Sequence, residues 1–277
     1  MKRIYNLSYD QTEYQINDRL SFMRFLGLIL NDKVIDAKTI WDFENTLANA
    51  KMGEKLFCLF NEVLEKEELI SHKGTIVDAT FVDAPKQRNG RDENKKIKNG
   101  EIPEEWEKPE NTHKLAQKDT DARWTKKNNE VHFGYKDHVK CDADSKLITN
   151  YAVTDATLHD SNRCIDFLDE EDEELYADSA YSVSSIADEL PEKCRNCICE
   201  KGYRNYTLTE ERKNSNRKKS KIRCRIEHIF GFMIGSMKGI TVRSIGLTRA
   251  WFNVGMTNLI YNMFRYEFLN ELKNNKG

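Results

Sequence analysis

The chain has 277 residues, which is enough for one full core domain and a smaller appended unit. It carries 44 Lys and Arg against 46 Asp and Glu, and this net charge of −2 argues against a uniformly basic DNA-binding protein. No apolar run is long enough to span a membrane, no signal peptide opens the chain, and the seven cysteines are an odd number. We therefore expect a cytoplasmic protein with reduced thiols, outside the membrane and the secretory route.

The first part of the chain, residues 1–73, is predicted to be helical. Apolar residues recur at helical spacing between Leu20 and Ile29 and again between Leu56 and Leu64. Residues 32–43 lie between these two stretches.

The next element, from Thr75 to Val82, is rich in β-branched and aromatic residues, which predicts a strand. Asp78 interrupts this strand, although aspartate is disfavoured inside strands and a buried carboxylate costs several kcal/mol unless it is paired or bound to a metal. Residues 86–130 are polar and weakly periodic, which predicts an insertion or long loop. Trp124 in this insertion could stack on a base, but a small local core around it is the favoured interpretation.

A hairpin is predicted over residues 131–155. The acidic residue that follows it, Asp160, precedes a helical stretch and is interpreted as an N-cap rather than a metal ligand. The acidic run 169–174 is interpreted as a solvated loop. A short apolar strand then ends at Asp178, where open α/β sheets usually place their sites, although a strand-end cap is the simpler explanation for this residue alone.

A helix is predicted over residues 216–238 because apolar residues recur there at three- and four-residue spacing. Arg223, Glu227, Gly231 and Gly235 form a stripe beside its apolar face, and the glycines leave room for a large ligand to approach. An exposed Arg–Glu pair of little energetic value is the alternative interpretation of Arg223 and Glu227. Together, however, Asp78, Asp178 and Glu227 form a set of carboxylates without clustered histidine. Such a set suits Mg²⁺ or Mn²⁺ and the two-ion chemistry of phosphoryl transfer, whereas zinc at Cys194, Cys197 and Cys199 is disfavoured.

The charge is distributed unevenly along the chain. Residues 201–249 hold 13 Lys and Arg against 3 Asp and Glu, whereas residues 157–200 hold 13 acidic against 3 basic residues. A basic cluster runs into the helix that carries Glu227 and predicts contact with phosphates: Arg217, Lys218, Lys219, Lys221, Arg223 and Arg225. A solvated helix start is the alternative, but basic residues are unfavourable in a helix's first turn, so a polyanion is the simplest reason for them.

Several linked segments resemble the DDE transposases of the insertion-sequence-5 family: Thr75–Val82, Gln117–Lys127, His132–His138, Tyr151–Ser161, Tyr176–Tyr181 and Arg223–Gly231. The resemblance spans residues 14–272, and within it residues 32–43 resemble the family's DNA-contacting turn. It implies a ribonuclease-H-like α/β fold, a mixed sheet flanked by helices with a helical N-terminal region and a C-terminal packing helix. It also implies an acidic triad at Asp78, Asp178 and Glu227, with Arg223 as the arginine one turn before the glutamate.

This sequence departs from the pattern of the family in two respects. Ser220 and Ile234 stand where many relatives carry a tyrosine and a lysine, and Lys238 is a candidate to replace the lysine from the next turn. Family members also usually begin several tens of residues earlier, so we expect the DNA-contacting region, residues 1–73, to be truncated.

The sequence thus predicts a metal-dependent transposase that cleaves transposon ends and joins the 3′-hydroxyl to target DNA. Residues 74–277 form its catalytic domain, two Mg²⁺ or Mn²⁺ ions are its cofactors, and double-stranded DNA and a second copy of the chain are its partners. We expect it to be prokaryotic and associated with the nucleoid. A non-catalytic DNA-binding remnant and a metal nuclease on the same fold remain as alternatives.

Overall fold

Six strands of the described residues form one mixed sheet, and helices pack against it. The structure, a computed structural model, describes residues 1–127, 129–203 and 207–275. The remaining positions, 128, 204–206 and 276–277, fall in the predicted insertion, in the basic segment and at the end of the predicted catalytic domain, and they lie outside the described residues. The predicted α/β class is confirmed, and the arrangement is consistent with a ribonuclease-H-like fold.

Four helices precede the sheet: α1 (Tyr9–Asp18), α2 (Leu20–Phe25), α3 (Ala37–Asn49) and α4 (Met52–Lys66). Ser8 and Gln11 form a capping box that begins α1, and Asp36 caps α3 through its side chain. The helix predicted to reach Ile29 ends earlier, because Gly27 takes a left-handed φ of +71°. Several apolar side chains between Leu20 and Leu30 are consequently exposed.

The first strand, β1 (Thr75–Asp83), leads into an insertion that contains three short helices rather than a long loop: α5 (Arg91–Lys98), α6 (Glu104–Glu107) and α7 (Thr112–Ala116). Its local core forms around Trp106, which is fully buried and donates from Nε1 to Glu93 Oε1 at 2.8 Å. The prediction of a small local core around Trp124 is wrong. Trp124 lies at the surface, with its ring 4.8 Å from that of Phe133.

The predicted hairpin is confirmed as β3 (Glu130–Asp142) and β4 (Ile148–Asp155), which pair antiparallel, and β2 (Arg123–Lys127) pairs with the start of β3. β3 also pairs antiparallel with β1 along the whole length of β1. The two strands end so close together that a Cβ on Gly134 would lie 2.2 Å from the backbone oxygen of Val82, so only glycine fits there.

The other edge of β1 is largely open. Strand β5 (Glu174–Tyr176) runs parallel to β1 and pairs with Thr75 and Ile76, and β6 (Arg195–Asn196) runs parallel to β5. Within the described residues, the next contact on this edge is a single bridge between Asp83 and Thr241. The stretch of β1 around Asp78 therefore has no strand on that side.

Four more helices complete the chain: α8 (Ser184–Glu189), α9 (Glu210–Arg223), α10 (Arg225–Gly235) and α11 (Leu247–Asn274). The single helix predicted over 216–238 is wrong, because the helix breaks at Cys224 and its first half begins at Glu210. The apolar spacing used for the prediction could not show this start, since α9 is almost entirely polar. None of the described helices is long and apolar enough to cross a membrane.

The largest core lies between one face of the sheet and helices α10 and α11, where Ile226, Ile229 and Met233 pack against β1 and β3. A second core on the opposite face contains Val77 of β1, Leu175 of β5 and Tyr181. Because β1 lies between both cores, its position is fixed from both sides.

The composition predicted that the acidic run 169–174 is a solvated loop. This prediction is wrong for Asp172. Asp172 is fully buried, accepts from Thr75 Oγ1 at 2.5 Å and lies 2.8 Å from Lys140 Nζ, which also lies 2.6 Å from the exposed Asp169. A buried pair of this kind costs about 3–5 kcal/mol when one partner is removed. The run therefore anchors the beginning of β5 to β1 and β3.

Candidate active site

The site begins with Asp78, whose side chain is 17% exposed in the middle of β1. Its Oδ1 accepts from the backbone N–H of Ala79 at 2.9 Å, and its Oδ2 accepts from Arg223 Nη1 at 3.2 Å. Burial raises the pKa of Asp78 to about 6; the Ala79 N–H and the Arg223 charge oppose this rise, and the charge of Asp178 adds to it. The carboxylate is therefore only partly compensated.

Arg223 joins two of the predicted site residues. While Nη1 contacts Asp78, Nη2 donates to Glu227 Oε1 at 2.7 Å. Burial lowers the pKa of Arg223, but the charges of the two carboxylates outweigh it and leave the pKa raised. Arg223 is the last residue of α9 and Glu227 lies in the first turn of α10, so the pair bridges the break at Cys224. The Arg223–Glu227 pair is therefore more than an exposed ion pair, since Arg223 also contacts the carboxylate of Asp78 on β1.

Asp178 follows β5 and caps a short 3₁₀ turn, accepting from the Ala180 N–H through Oδ1 at 2.6 Å. The interpretation of Asp178 as a cap is therefore confirmed for one of its two carboxylate oxygens, Oδ1. The charge of Asp178 also raises the pKa of Asp78, and Asp178 follows the strand that pairs parallel with the beginning of β1. Capping and a place in the site are compatible.

Sequence reasoning missed Tyr181, which is fully buried and whose hydroxyl has no hydrogen-bond partner among the described residues. Burial raises the pKa of Tyr181, and the charges of Asp78, Asp160 and Asp178 add to that rise. A buried hydroxyl without a hydrogen-bond partner is uncommon and requires an explanation. The signal in the sequence is its position three residues after Asp178.

Asp160 is not the N-cap predicted from the sequence. His159 takes that role by accepting from the backbone N–H of Ser161. The Asp160 carboxylate instead lies 2.7 Å from Lys136 Nζ and 3.2 Å from Lys127 Nζ. Local spacing suggested the cap, whereas the lysines come from strands β2 and β3.

The residues fit a divalent ion in chemistry but not as a preformed cage. All three predicted ligands, Asp78, Asp178 and Glu227, offer hard carboxylate oxygens, and Asp78 lacks full charge compensation. No group of three or more His, Cys, Asp or Glu side chains in the described ranges is placed to hold a metal ion as it stands. Arg223 explains this, because it occupies oxygens of both Asp78 and Glu227.

The predicted basic cluster divides into two groups. Arg217, Lys218 and Lys221 are exposed on α9. The other three are engaged: Lys219 donates to Ile198 O, Arg223 contacts Asp78 and Glu227, and Arg225 contacts Ala143 O and Asp144.

The helix-dipole argument for this cluster is wrong. α9 begins at Glu210, so the cluster lies in its C-terminal half, where cations are favourable, and the first turn carries Glu210 and Glu211. A basic helix start therefore gives no separate reason to expect a polyanion.

Lys238 does not lie on the next turn of the glutamate's helix. α10 ends at Gly235, Lys238 has a φ of +58°, and its backbone oxygen accepts from Asn6. Ile234, at the position of the expected lysine, is 61% exposed.

Comparison with known protein families identifies the family to which the chain belongs. A family model described as "Transposase DDE domain" matches residues 70–263, and one described as "Transposase domain (DUF772)" matches residues 1–46. The first covers more than half of the chain, so the chain belongs to the DDE transposase family. It is a transposase of the broad kind that includes insertion sequences 4 and 5, and the family implies DNA as its substrate. No solved structure matches the chain.

The raised pKa of Asp78 predicts a stability effect. Because its pKa of about 6 lies above the ordinary value of about 4, the folded chain binds this proton more tightly than the unfolded chain does. Stability from this group is therefore present at low pH and is lost as the pH rises from about 4 to about 6. Without divalent ions, Asp78→Asn should raise the free energy of unfolding by about 1–2 kcal/mol at pH 7.5, with no difference below pH 4.

Urea unfolding at both pH values measures this effect. Asp83→Asn, at the exposed end of the same strand, is the matched control and should change stability little at either pH. If Asp78→Asn were instead less stable at pH 7.5, Arg223 would compensate the Asp78 charge fully.

Proposed function

We propose that the chain cleaves DNA at transposon ends and joins the released 3′-hydroxyl to target DNA, with Asp78, Asp178 and Glu227 as its acidic triad. One observation carries the proposal. Arg223 contacts both Asp78 and Glu227, and the charge of Asp178 reaches Asp78, so three distant segments meet at one electrostatic site. We further infer membership of the insertion-sequence-5 family from the linked segments of the sequence.

Asp78, Asp178 and Glu227 would hold the divalent ions, Mg²⁺ or Mn²⁺. When bound, the ions would supply positive charge that polarises the scissile phosphate and stabilises the charge developing on its oxygens. Because Arg223 holds oxygens of two of these residues, it competes with the ions for them. Arg223 released from one carboxylate is then available to a phosphate, which a planar guanidinium binds well.

Two displacements at phosphorus make up the reaction. In the first, a water molecule loses a proton as its oxygen forms a bond to the scissile phosphorus, the P–O3′ bond breaks, and the 3′ oxygen takes up a proton and leaves as a hydroxyl. In the second, that hydroxyl oxygen attacks a target phosphorus and displaces the target's own 3′ oxygen. The Ala180 N–H orients Asp178 through its hydrogen bond to Oδ1, and the Glu227 side chain is 59% exposed and therefore accessible to DNA.

The surroundings of the triad suit a large polyanion. Gly231 and Gly235, one and two turns beyond Glu227, face open space, since a Cβ on either would meet no atom within 4 Å. Arg217, Lys218 and Lys221 present exposed positive charge on α9. We assign duplex binding to this face, additional contacts to the helical region 1–73, and synapsis of two ends to a homodimer.

The triad is tested by cleavage of an end-bearing duplex. Asp78→Asn, Asp178→Asn and Glu227→Gln should each reduce cleavage at least about 10³-fold, because the ligands act as a unit. Cleavage should require Mg²⁺ or Mn²⁺, stop with a chelator and not return with Zn²⁺. Asp83→Asn and Glu211→Gln, which change exposed carboxylates on β1 and α9, should cleave normally.

The product distribution separates the alternatives. Joined products on a plasmid target support the transposase, cleavage without joining supports a metal nuclease, and duplex binding without cleavage supports a non-catalytic remnant. Full activity of Asp178→Asn would remove the triad assignment.

A second test concerns the exposed basic residues of α9. Changing Arg217, Lys218 and Lys221 together to Glu should weaken duplex binding regardless of sequence and flatten its salt dependence, because phosphate contacts release counterions. A control with the same change of charge on α5 and α11, Lys95, Lys98 and Lys273 to Glu, should keep the wild-type salt slope. Equal slopes for both triple variants would mean that this face of α9 does not contact DNA.

A further inference from the structure

A cavity of about 340 Å³ lies between α9 and the edge of the sheet formed by β5 and β6. We call it the edge cavity, and its volume is sufficient for a group larger than a single ion, since small-ligand sites begin near about 300 Å³. Three of its lining residues are cations and none is acidic. The lining consists of Tyr176, Arg195, Asn196, Cys197, Ser215, Lys218, Lys219 and Ile222.

The cations of the edge cavity have hydrogen-bond donors that are not in use. Arg195 donates through Nη2 to Glu174, and its Nε and Nη1 form no hydrogen bond within the described ranges. Lys219 donates to the backbone oxygen of Ile198 at 2.9 Å, which leaves two of the three donors of its ammonium. Lys218 is exposed and has no acceptor in the part of the chain that the structure describes. The cavity can therefore bind an anion without breaking a contact of the fold.

The acceptors beside the edge cavity, in contrast, are already occupied. Glu174, the carboxylate that pairs with Arg195, accepts from Arg195 through Oε1 and from the Tyr176 hydroxyl through Oε2. Asn196 accepts from the backbone N–H of Ile198 at 3.0 Å, so the donors of its amide group face no competing use of the oxygen. Unused donors next to saturated acceptors favour an anion, and a guanidinium with an ammonium beside it suits a phosphate.

The edge cavity lies on the face of the sheet that carries the side chain of Asp78. Tyr176 pairs with Ile76, two residues before Asp78 on β1, so these side chains share one face. Tyr176 and Ile76 both belong to the core under α10 and α11, which is the side from which Arg223 contacts Asp78. Because β5 and β6 continue the sheet on the side of the open edge of β1, the cavity and the candidate site are neighbours on one surface.

Helix α9 connects the edge cavity directly to the candidate site. Ile222 lines the cavity and is followed by Arg223, which lies 3.2 Å from Asp78. Lys218 precedes Arg223 by five positions, or about 7.5 Å along the helix axis, a span of about two nucleotides of one DNA strand. A strand with one phosphate at the carboxylates therefore has another phosphate within reach of the cavity.

We propose that the edge cavity binds a phosphate of the DNA strand that lies in the active site, with Arg195, Lys218 and Lys219 as its cations. The identity of the ligand rests on the proposed function, whereas the preference for an anion rests on the unused donors. Arg195 is then a DNA-binding residue on β6, outside the basic cluster that the sequence indicated on α9.

Duplex binding measured without divalent ions tests this proposal independently of cleavage. Arg195→Gln should weaken binding about 10-fold at physiological salt and reduce the salt slope by about 1, the change expected for one lost phosphate contact. Arg195→Lys retains the charge and should keep the wild-type slope. Lys193→Gln is the matched control, because Lys193 is exposed two positions earlier and does not line the cavity, and it should also keep the slope.

A variant of the ion-pair partner separates a phosphate contact from a structural role of Arg195. Glu174→Gln breaks the same ion pair but removes a negative charge, so it should bind duplex at least as tightly as the wild type. An ion pair in which Arg195 is 68% exposed contributes little to stability, so both variants should melt near the wild-type temperature. Equal weakening of duplex binding by Arg195→Gln and Glu174→Gln would overturn the proposal, since the ion pair rather than the cation would then matter.

Inorganic phosphate distinguishes DNA from a free anion as the ligand. In the proposal, Arg195→Gln loses duplex affinity while millimolar inorganic phosphate changes the melting temperatures of the variant and the wild type equally. If phosphate raised only the melting temperature of the wild type and both proteins bound duplex equally, the cavity would hold a free phosphate and the proposal would be overturned.

The outcomes also separate this proposal from the proposed function. If Asp78→Asn still cleaves DNA, the triad assignment fails, while the salt slope of Arg195→Gln still measures the phosphate contact. If cleavage depends on the triad and Arg195→Gln keeps the wild-type slope, only the assignment of the edge cavity fails.

Discussion

A carboxylate buried on a central strand must be compensated, and the site depends on how the structure compensates Asp78. Arg223, at the end of α9, supplies part of the positive charge that compensates Asp78. The same guanidinium contacts Glu227 at the start of α10. Ile226 and Ile229 pack α10 against the sheet, so burial and the ion pairs act together. Burial still leaves the pKa of Asp78 raised, and this incomplete compensation is the reason we propose a divalent ion at this carboxylate.

Strand β3 holds the surroundings of that site in place. Its side chains reach three separate loops: Tyr135 donates to Asp119, Lys136 contacts Asp160, and Lys140 contacts Asp172. Each of these partners is buried, and breaking a buried charged pair costs far more than losing an exposed one. These three loops are therefore held by one central strand, although they are far apart in sequence.

Much of the fold could be predicted from local patterns, and the same patterns single out Asp78 as a candidate site residue. The β1 strand, the β3–β4 hairpin and the helix around Ile226 and Ile229 each have a clear apolar period, and aspartate inside a strand is unusual enough to mark Asp78. These features depend on neighbours in sequence, so the sequence contains them directly.

The errors arose where distant partners decide the structure. Asp172 was predicted to be solvated because its neighbours are acidic, but it is buried and forms an ion pair with Lys140. Asp160 looked like a cap because its lysine partners come from other strands, and Trp106 rather than Trp124 forms the core of the insertion because Glu93 accepts from its indole. Spacing along the chain does not report such pairs, and a polar helix such as α9 has no apolar period to detect.

Iron-directed cleavage of the protein backbone tests most directly whether one ion site joins the three segments. Fe²⁺ in place of Mg²⁺, with ascorbate and peroxide, generates hydroxyl radicals that cut the chain close to the ion. The account predicts cuts near Asp78, Asp178 and Glu227 together, suppressed by excess Mg²⁺ and lost in Asp178→Asn. Cuts confined to one of these segments, or cuts elsewhere that Mg²⁺ does not suppress, would contradict it.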